Sequence, residues 1–391
     1  MVLICVGFRS NEYCEPPYPK YVSRDDSDLI QVHVISRHGA RTPLHTSKNQ
    51  HNIWNCKNTE FKLYSNGKQS NPIHIMNYHG KSLFLGNCQF GQLIGKGADA
   101  ILKLGNYFRK IYVEEMKFIP SNFNPSVIKF RSTNTLRSIH SQMNFANGLY
   151  PKHSPIIINV VDKNYDPWRR TSGICPRFQH KMNELKNSEE MKKANLINKT
   201  LQDILTNTYE VKWDNINDIM TSSKCQNFKM PSKITDDILE QAIKLKTKQT
   251  NYIYKHKEMF NLFSSFPAAE VLNQMISRIN GESKIKFIHW SAHDGNILSL
   301  IGYLGCDIEK WPPYGAYITI ELWKNKNTKQ FFLQFRYNGK LLIPFRFSNS
   351  DVVSFDTFQK FVKDNFPDLI KDCNFDKTKF YKNDVFISEP I

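Results

Sequence analysis

The stretch "LIQVHVISRHGARTPLH" (residues 29–45) decides how the rest of the chain is read. Leu29–Ile35 is rich in Ile and Val, the composition of a buried β-strand. It then breaks into Arg37, His38, Gly39 and Arg41 within five residues. A strand entering a core does not usually stop in clustered positive charge unless something negative binds there. In open α/β sheets, ligands sit beyond the carboxyl ends of the strands, where the connections diverge.

The same event recurs twice downstream. "SVIKF" (126–130) reads as a short strand and runs directly into "RSTNTLRSIHSQMNFANGLY", delivering Arg131 and Arg137. Ser132 or Thr133 is the expected cap of the helix that follows. "KIKFIHWSAHDGNILSLIGYLG" (284–305) has strand-turn-helix grammar and delivers His293 and Asp294. Three such strand ends form one pocket with several positive charges, and helix N-termini add backbone N–H donors. That pocket suits a phosphate, because the planar arginine fork grips two oxygens at once.

His38 has a more specific role. Gly39 lets the chain turn tightly, and the flanking arginines hold phosphate against the ring. A neutral imidazole nitrogen can then attack phosphorus in line and form a phosphohistidine. The arginines stabilise the equatorial oxygens, and Asp294 is the candidate acid for the leaving alcohol. Asp294 also suits a helix cap, the blander role. Arg131, at the strand end, is favoured over Arg137 as the phosphate ligand, and Arg137 is read as making a supporting ion pair. His289 and His293 have i, i+4 spacing, but His289 lies in an apparent strand, so no metal pair is read there. The chemistry calls for neither a metal nor a cofactor.

Away from these ends the chain shows no repeat. Asn49–Leu85 is polar and reads as a long loop region, whereas 90–116 has helical spacing over its whole length. Residues 151–282 are lysine-rich and polar, with helical patches such as "ITDDILEQAIKLK" (234–246) and "AAEVLNQMISRI" (268–279). They read as a mainly helical cap inserted into an α/β core formed by 28–150 and 283–391. Asn338-Gly339 is a two-residue hairpin turn between alternating strands, and the tail from Ser348 is expected to pack back on the core.

These elements carry a resemblance. "RHGARTP" (37–43) matches the R-H-G-x-R-x-P signature of the histidine acid phosphatases, a branch that includes phytases. "GQLIGKGADAILKLGNYFRKIY" (91–112), "RSTNTLRS" (131–138), "SAHDGN" (291–296) and "PPYGA" (312–316) resemble further elements of that family in order and spacing. The resemblance covers about residues 28–345. It implies a three-layer α/β fold with a mainly parallel central sheet and a helical cap. It also implies His38 as nucleophile, Asp294 as proton donor, and Arg37, Arg41, Arg131 and His293 as phosphate ligands. Ile94, Asn134 and Gly295 depart from the usual Thr, Asp and Thr, and Asn134 bears on the packing around Arg131.

Composition limits the alternatives. The chain has 391 residues and a formal charge of +17, which favours anionic partners without choosing among them. Lysines set among asparagines, as in "KNKNTK" (324–329), look like a solvated surface, and no nucleic-acid motif is present. Eight dispersed cysteines without Cys-x-x-Cys fit long-range disulfides or isolated buried thiols. With residues 1–27 read as a lead containing a signal remnant, they point to a secretory, lysosome-like or extracellular location. No stretch is long and apolar enough to span a membrane. The expected function is phosphate-monoester hydrolysis on a phosphorylated small molecule or phosphosugar. The alternatives are an inactive relative that binds such a ligand, or a phosphatase dedicated to phytate or lysophospholipid. The family also allows a homodimer.

Overall fold

Strand β1 (Ser27–Arg37) forms the middle of the molecule, and the other elements are placed by what they lay against it. The computed structural model describes residues 13–45, 85–151, 155–169, 174–308 and 310–374, with short pieces between 47 and 69. Most of the expected loop region 49–85 and the first twelve residues lie outside the described residues.

After β1 come two small ribbons, β2 (Ile53–Trp54) with β5 (Leu85–Gly86) and β3 (Tyr64–Ser65) with β4 (Lys68–Gln69). Then follow α1 (Gly95–Phe108), β6 (Ile128–Ser132), α2 (Leu136–Leu149) and β7 (Ile158–Val160). A helical run comes next: α3 (Pro176–Lys186), α4 (Glu189–Ile197), α5 (Lys199–Tyr209), α6 (Trp213–Cys225), α7 (Asp236–Lys255), α8 (Lys257–Phe263) and α9 (Ser265–Ile279). The chain ends with β8 (Phe287–Ala292), α10 (Asp294–Tyr303), β9 (Tyr317–Asn325), β10 (Phe331–Tyr337), β11 (Lys340–Leu342), β12 (Val352–Ser354) and α11 (Phe355–Asn365).

The main sheet has the order β11-β10-β9-β1-β8-β6-β7, with β12 on β10. β1, β8, β6 and β7 run parallel, and β9, β10 and β11 complete the sheet antiparallel. In register, Arg37 lies beside Ala292 on β8, and Ser132 beside Ser291. The carboxyl ends of β1, β6 and β8 therefore open on one edge, and the three suspected strand ends converge there. Alternation along β1 and β8 divides the core. Val32, Val34 and Phe287 pack with Ile101, Leu104 and Phe108 of α1 and Phe145 of α2. Ile35, Ile288 and Trp290 face Leu272 and Met275 of α9 and Ile297 of α10. Each such side chain contributes roughly 1.5–3 kcal/mol on burial.

Two local expectations change. The single helix read over 90–116 is α-helical only to Phe108; Arg109–Glu115 forms wider π turns. Ile111, Tyr112 and Val113 are all buried within this wider stretch. The cap of α2 is neither Ser132 nor Thr133 but Thr135, because β6 runs on through Ser132. Among the described residues of 151–282, α5, α6 and α7 meet around a core of their own at Leu205, Ile219 and Leu239. α8 and α9 join the core beneath the sheet.

Elsewhere the local reading holds. Asn338 and Gly339 both take positive φ, 47° and 77°, as a tight hairpin turn requires. Phe358 and Val362 of α11 are buried in the main core. Disulfides join Cys14 to Cys225, Cys56 to Cys88, and Cys175 to Cys373. No helix among the described residues is long and apolar enough to cross a membrane.

Candidate active site

The loop after β1 is held by its backbone before any side chain is considered. Arg37 N–H donates to Ala316 O (2.8 Å) and His38 N–H to Ala292 O (3.0 Å). Gly39 N–H donates to Ser141 Oγ (3.0 Å), and His38 O accepts from Gly315 N–H (3.2 Å). Gly39 is required sterically. A Cβ there would lie 2.3 Å from the carbonyl oxygen of Gly97, where α1 crosses the loop.

His38 is 2% exposed. Its Nδ1 sits 2.9 Å from the carbonyl oxygen of Gly39. A carbonyl only accepts, so Nδ1 carries the proton and Nε2 keeps its lone pair. Burial, then the charges of Arg137, Arg41, Arg37 and His293, hold its pKa well below the usual histidine value. Burial and these charges thus favour the neutral ring.

Three arginines surround it, each with a buried Nε–H that has no partner among the described residues. Arg37 donates through Nη1 to Pro312 O (2.6 Å) and Tyr13 OH (3.1 Å), and its guanidinium lies 3.9 Å from the Tyr314 ring centre. Arg41 uses Nη1 for Thr42 O (2.9 Å) and for Asp218 of α6 (2.8 Å). Arg137, on the first turn of α2, has its pKa pushed down to about 9 by burial and then by Arg41. A cation held so unfavourably without ligand is well placed to receive an anion. His293 completes the ring, its Nε2 3.0 Å from Thr133 Oγ1 and its centroid 5.6 Å from that of His38. Asp294 begins α10; its carboxylate accepts from Trp311 Nε1 (3.1 Å) and lies 3.2 Å from Arg37 Nη2.

Arg37, His38, Arg41, Arg137, His293 and Asp294 line one cavity of about 890 Å³. Arg131 is committed elsewhere. Its Nη2 and Nη1 grip the buried Asp166 at 2.6 and 3.2 Å, with Glu270 4.0 Å from Nε. The expectation that Arg131 binds phosphate is therefore corrected: the strand end turns this side chain into an internal ion pair, and Arg137 faces the cavity instead. Arg137 likewise makes no ion pair among the described residues, contrary to the supporting role read from sequence. Asp218 and Tyr13 were not singled out in the sequence, since neither lies in a patterned stretch. His289 is structural, bonded to Ser36 Oγ and Gln142 Oε1 (both 2.9 Å) and stacked on Phe145. Among the described residues no three His, Cys, Asp or Glu side chains converge as a metal site.

The chain is similar to known proteins along most of its length. The family model described as "Histidine phosphatase superfamily (branch 2)" matches residues 28–338. Counting factor 60 of Dictyostelium discoideum is 27% identical over 84% of this chain and 84% of its own length. Human lysophosphatidic acid phosphatase type 6 is 28% identical over 83% of this chain and 80% of its own. The apo phytase of Hafnia alvei superposes with a TM-score of 0.66 at 14% identity, covering 90% of this chain and 99% of that one, which shows the shared fold. The chain belongs to branch 2 of the histidine phosphatase superfamily and is by that membership a histidine-type acid phosphatase.

Proposed function

We propose that the protein hydrolyses phosphate monoesters through a covalent phosphohistidine on His38. The observation that carries this is the Nδ1–H bond from His38 to Gly39 O, which leaves Nε2 unprotonated on the cavity. The unpartnered Nε–H groups of Arg37, Arg41 and Arg137, with His293, form the phosphate seat. Nε2 attacks phosphorus in line; the N–P bond forms as the bond to the alcohol oxygen breaks. The arginines stabilise charge on the equatorial oxygens.

Asp294 delivers the proton that the leaving oxygen needs. In the free protein it is held by Arg37 as a carboxylate. A phosphate dianion entering beside Arg37 takes over that charge and favours the protonated acid. Water then attacks the phosphohistidine, and Asp294 takes up its proton. Asp218 holds Arg41 from the far side, leaving its Nε edge for phosphate. The three disulfides support residence in an oxidising, secretory compartment. Phosphorylated small molecules fit the cavity as substrates.

The test is turnover of p-nitrophenyl phosphate by the wild type and by His38→Ala. Loss of all turnover with retained phosphate binding supports the mechanism. Turnover surviving in the mutant contradicts it.

A further inference from the structure

The cavity that holds His38 continues well beyond the phosphate seat. Its volume of about 890 Å³ far exceeds what a phosphate group fills, and helix α6 runs along it. Asp218, which pairs with Arg41, and Asp214, one turn earlier on the same helix, both line it. Asp214 holds two ammonium groups at once: Lys186 of α3 at 3.0 Å, and Lys246 of α7 on its other oxygen. Lys246 also lies 5.9 Å from the Trp213 ring centre, and Lys212 lines the same end. Against the raising effect of burial, Lys246 and Lys186 draw the Asp214 pKa down to about 2. Each aspartate of α6 thus occupies cations that a ligand's anionic oxygens would otherwise meet.

The charge balance of the lining makes the point sharper. Among the described residues of the lining, Arg37, Arg41, Arg137 and Arg169 stand with Asp218 and Asp294 at the seat, and Lys186, Lys212 and Lys246 stand with Asp214 at the far end. Within that described lining, basic side chains outnumber acidic ones by two at each end. A monoester dianion adds its charge at the first end and none at the second.

We propose that Lys186, Lys212 and Lys246 form a second anion subsite, so that preferred substrates are phosphate monoesters carrying another anionic group, best a second phosphate. The four-residue offset between Asp214 and Asp218 corresponds to about 6 Å along the helix, which sets the scale of the spacer. The proposal rests on the phosphatase reading of the first seat.

The test compares α,ω-alkanediol bisphosphates of three to six carbons with the matching monophosphates that end in a hydroxyl, at low salt. The quantity read is the ratio of kcat/KM between the two. The wild type should prefer the best bisphosphate by about tenfold or more, equivalent to about 1.4 kcal/mol. The double variant Lys186→Gln, Lys246→Gln should bring the ratio near one. Asp214→Asn, which strips the resident anion, should raise it. A purely structural role would move both substrates together and leave the ratio unchanged. A wild-type ratio near one, a ratio that survives the double variant, or a preference for hexyl phosphate over hexanediol bisphosphate overturns the proposal. Absence of turnover on every ester would overturn the phosphatase reading instead. The subsite is then judged by calorimetry: hexanediol bisphosphate must bind the wild type at least tenfold tighter than the double variant, and equal binding overturns it.

Discussion

Replacing Arg137 by alanine and, separately, Arg131 by alanine separates two arginines that the sequence places six residues apart. Arg137 lines the cavity, has no ion pair among the described residues and has its pKa pushed down to about 9. Burial and Arg41 disfavour its charged form, so removing it costs the fold little and relieves repulsion. Its worth lies in the transition state. Loss of one preorganised donor to a developing oxyanion typically costs about 2.7–4 kcal/mol, or about 10²–10³ in kcat. Arg131 is the reverse case. It neutralises Asp166, which is 0% exposed, and alanine leaves that carboxylate buried without its counter-charge, held by the Trp168 backbone N–H (3.0 Å). Breaking a buried pair from one side costs roughly 3–5 kcal/mol of stability. The assays are urea unfolding and steady-state hydrolysis of p-nitrophenyl phosphate. Arg137→Ala should lose activity while keeping its unfolding midpoint; Arg131→Ala should lose midpoint while its folded fraction keeps kcat within about threefold. The opposite pairing of effects would refute the assignment of Arg137 to the phosphate seat.

Other consequences follow from single contacts. Gly39→Ala places a Cβ 2.3 Å from Gly97 O, so soluble protein should show activity reduced by at least about a hundredfold, since misplacing the reacting group by about 1 Å costs that much. His33, with its pKa drawn down to about 3 by burial, and His38 and His289, held well below normal first by burial, are neutral in the fold. Their folded pKa values lie below the unfolded value, so the unfolded chain binds more protons. Stability should fall as pH drops below about 6.5, by up to about 1.4 kcal/mol per pH unit for each histidine, readable by unfolding at pH 7.5 and 5. The acid limb of kcat/KM should not titrate near pH 6.5, and EDTA should leave the profile unchanged. Breaking Cys14–Cys225, by Cys14→Ala with Cys225→Ala, frees Tyr13 from Arg37 and the end of α6 from the seat. Both kcat and the unfolding midpoint should fall, the latter by about 2–5 kcal/mol in stability.

Much of this site was legible because its chemistry is carried by contiguous residues. Leu29–Ile35 reads as a strand from composition alone, and Arg37, His38 and Arg41 follow it directly. His293 and Asp294 end a second apolar strand in the same way, and both meet His38 in one cavity. Arg131 was misread for a physical reason. Position at a strand end does not say which face a side chain takes; Arg131 meets Asp166, thirty-five residues on, and nothing local announces that pair. Asp218, Asp214 and their lysines were invisible for the same reason. They sit on helices whose spacing shows amphipathicity but not which polar side chains the tertiary fold turns inward. The π turns after Phe108 likewise carried no local signal, since the apolar spacing of 90–116 continues through them.

The most direct measurement of the central claim is capture of the intermediate. Wild-type protein is mixed with a radiolabelled phosphate monoester, quenched within milliseconds, and digested under alkaline conditions that preserve phosphohistidine. The mechanism predicts acid-labile label on the peptide that contains His38, increased in Asp294→Asn with a poor leaving group only to the extent that attack still occurs, and absent in His38→Ala. Steady turnover with no label on that peptide, or label on another residue, would contradict it.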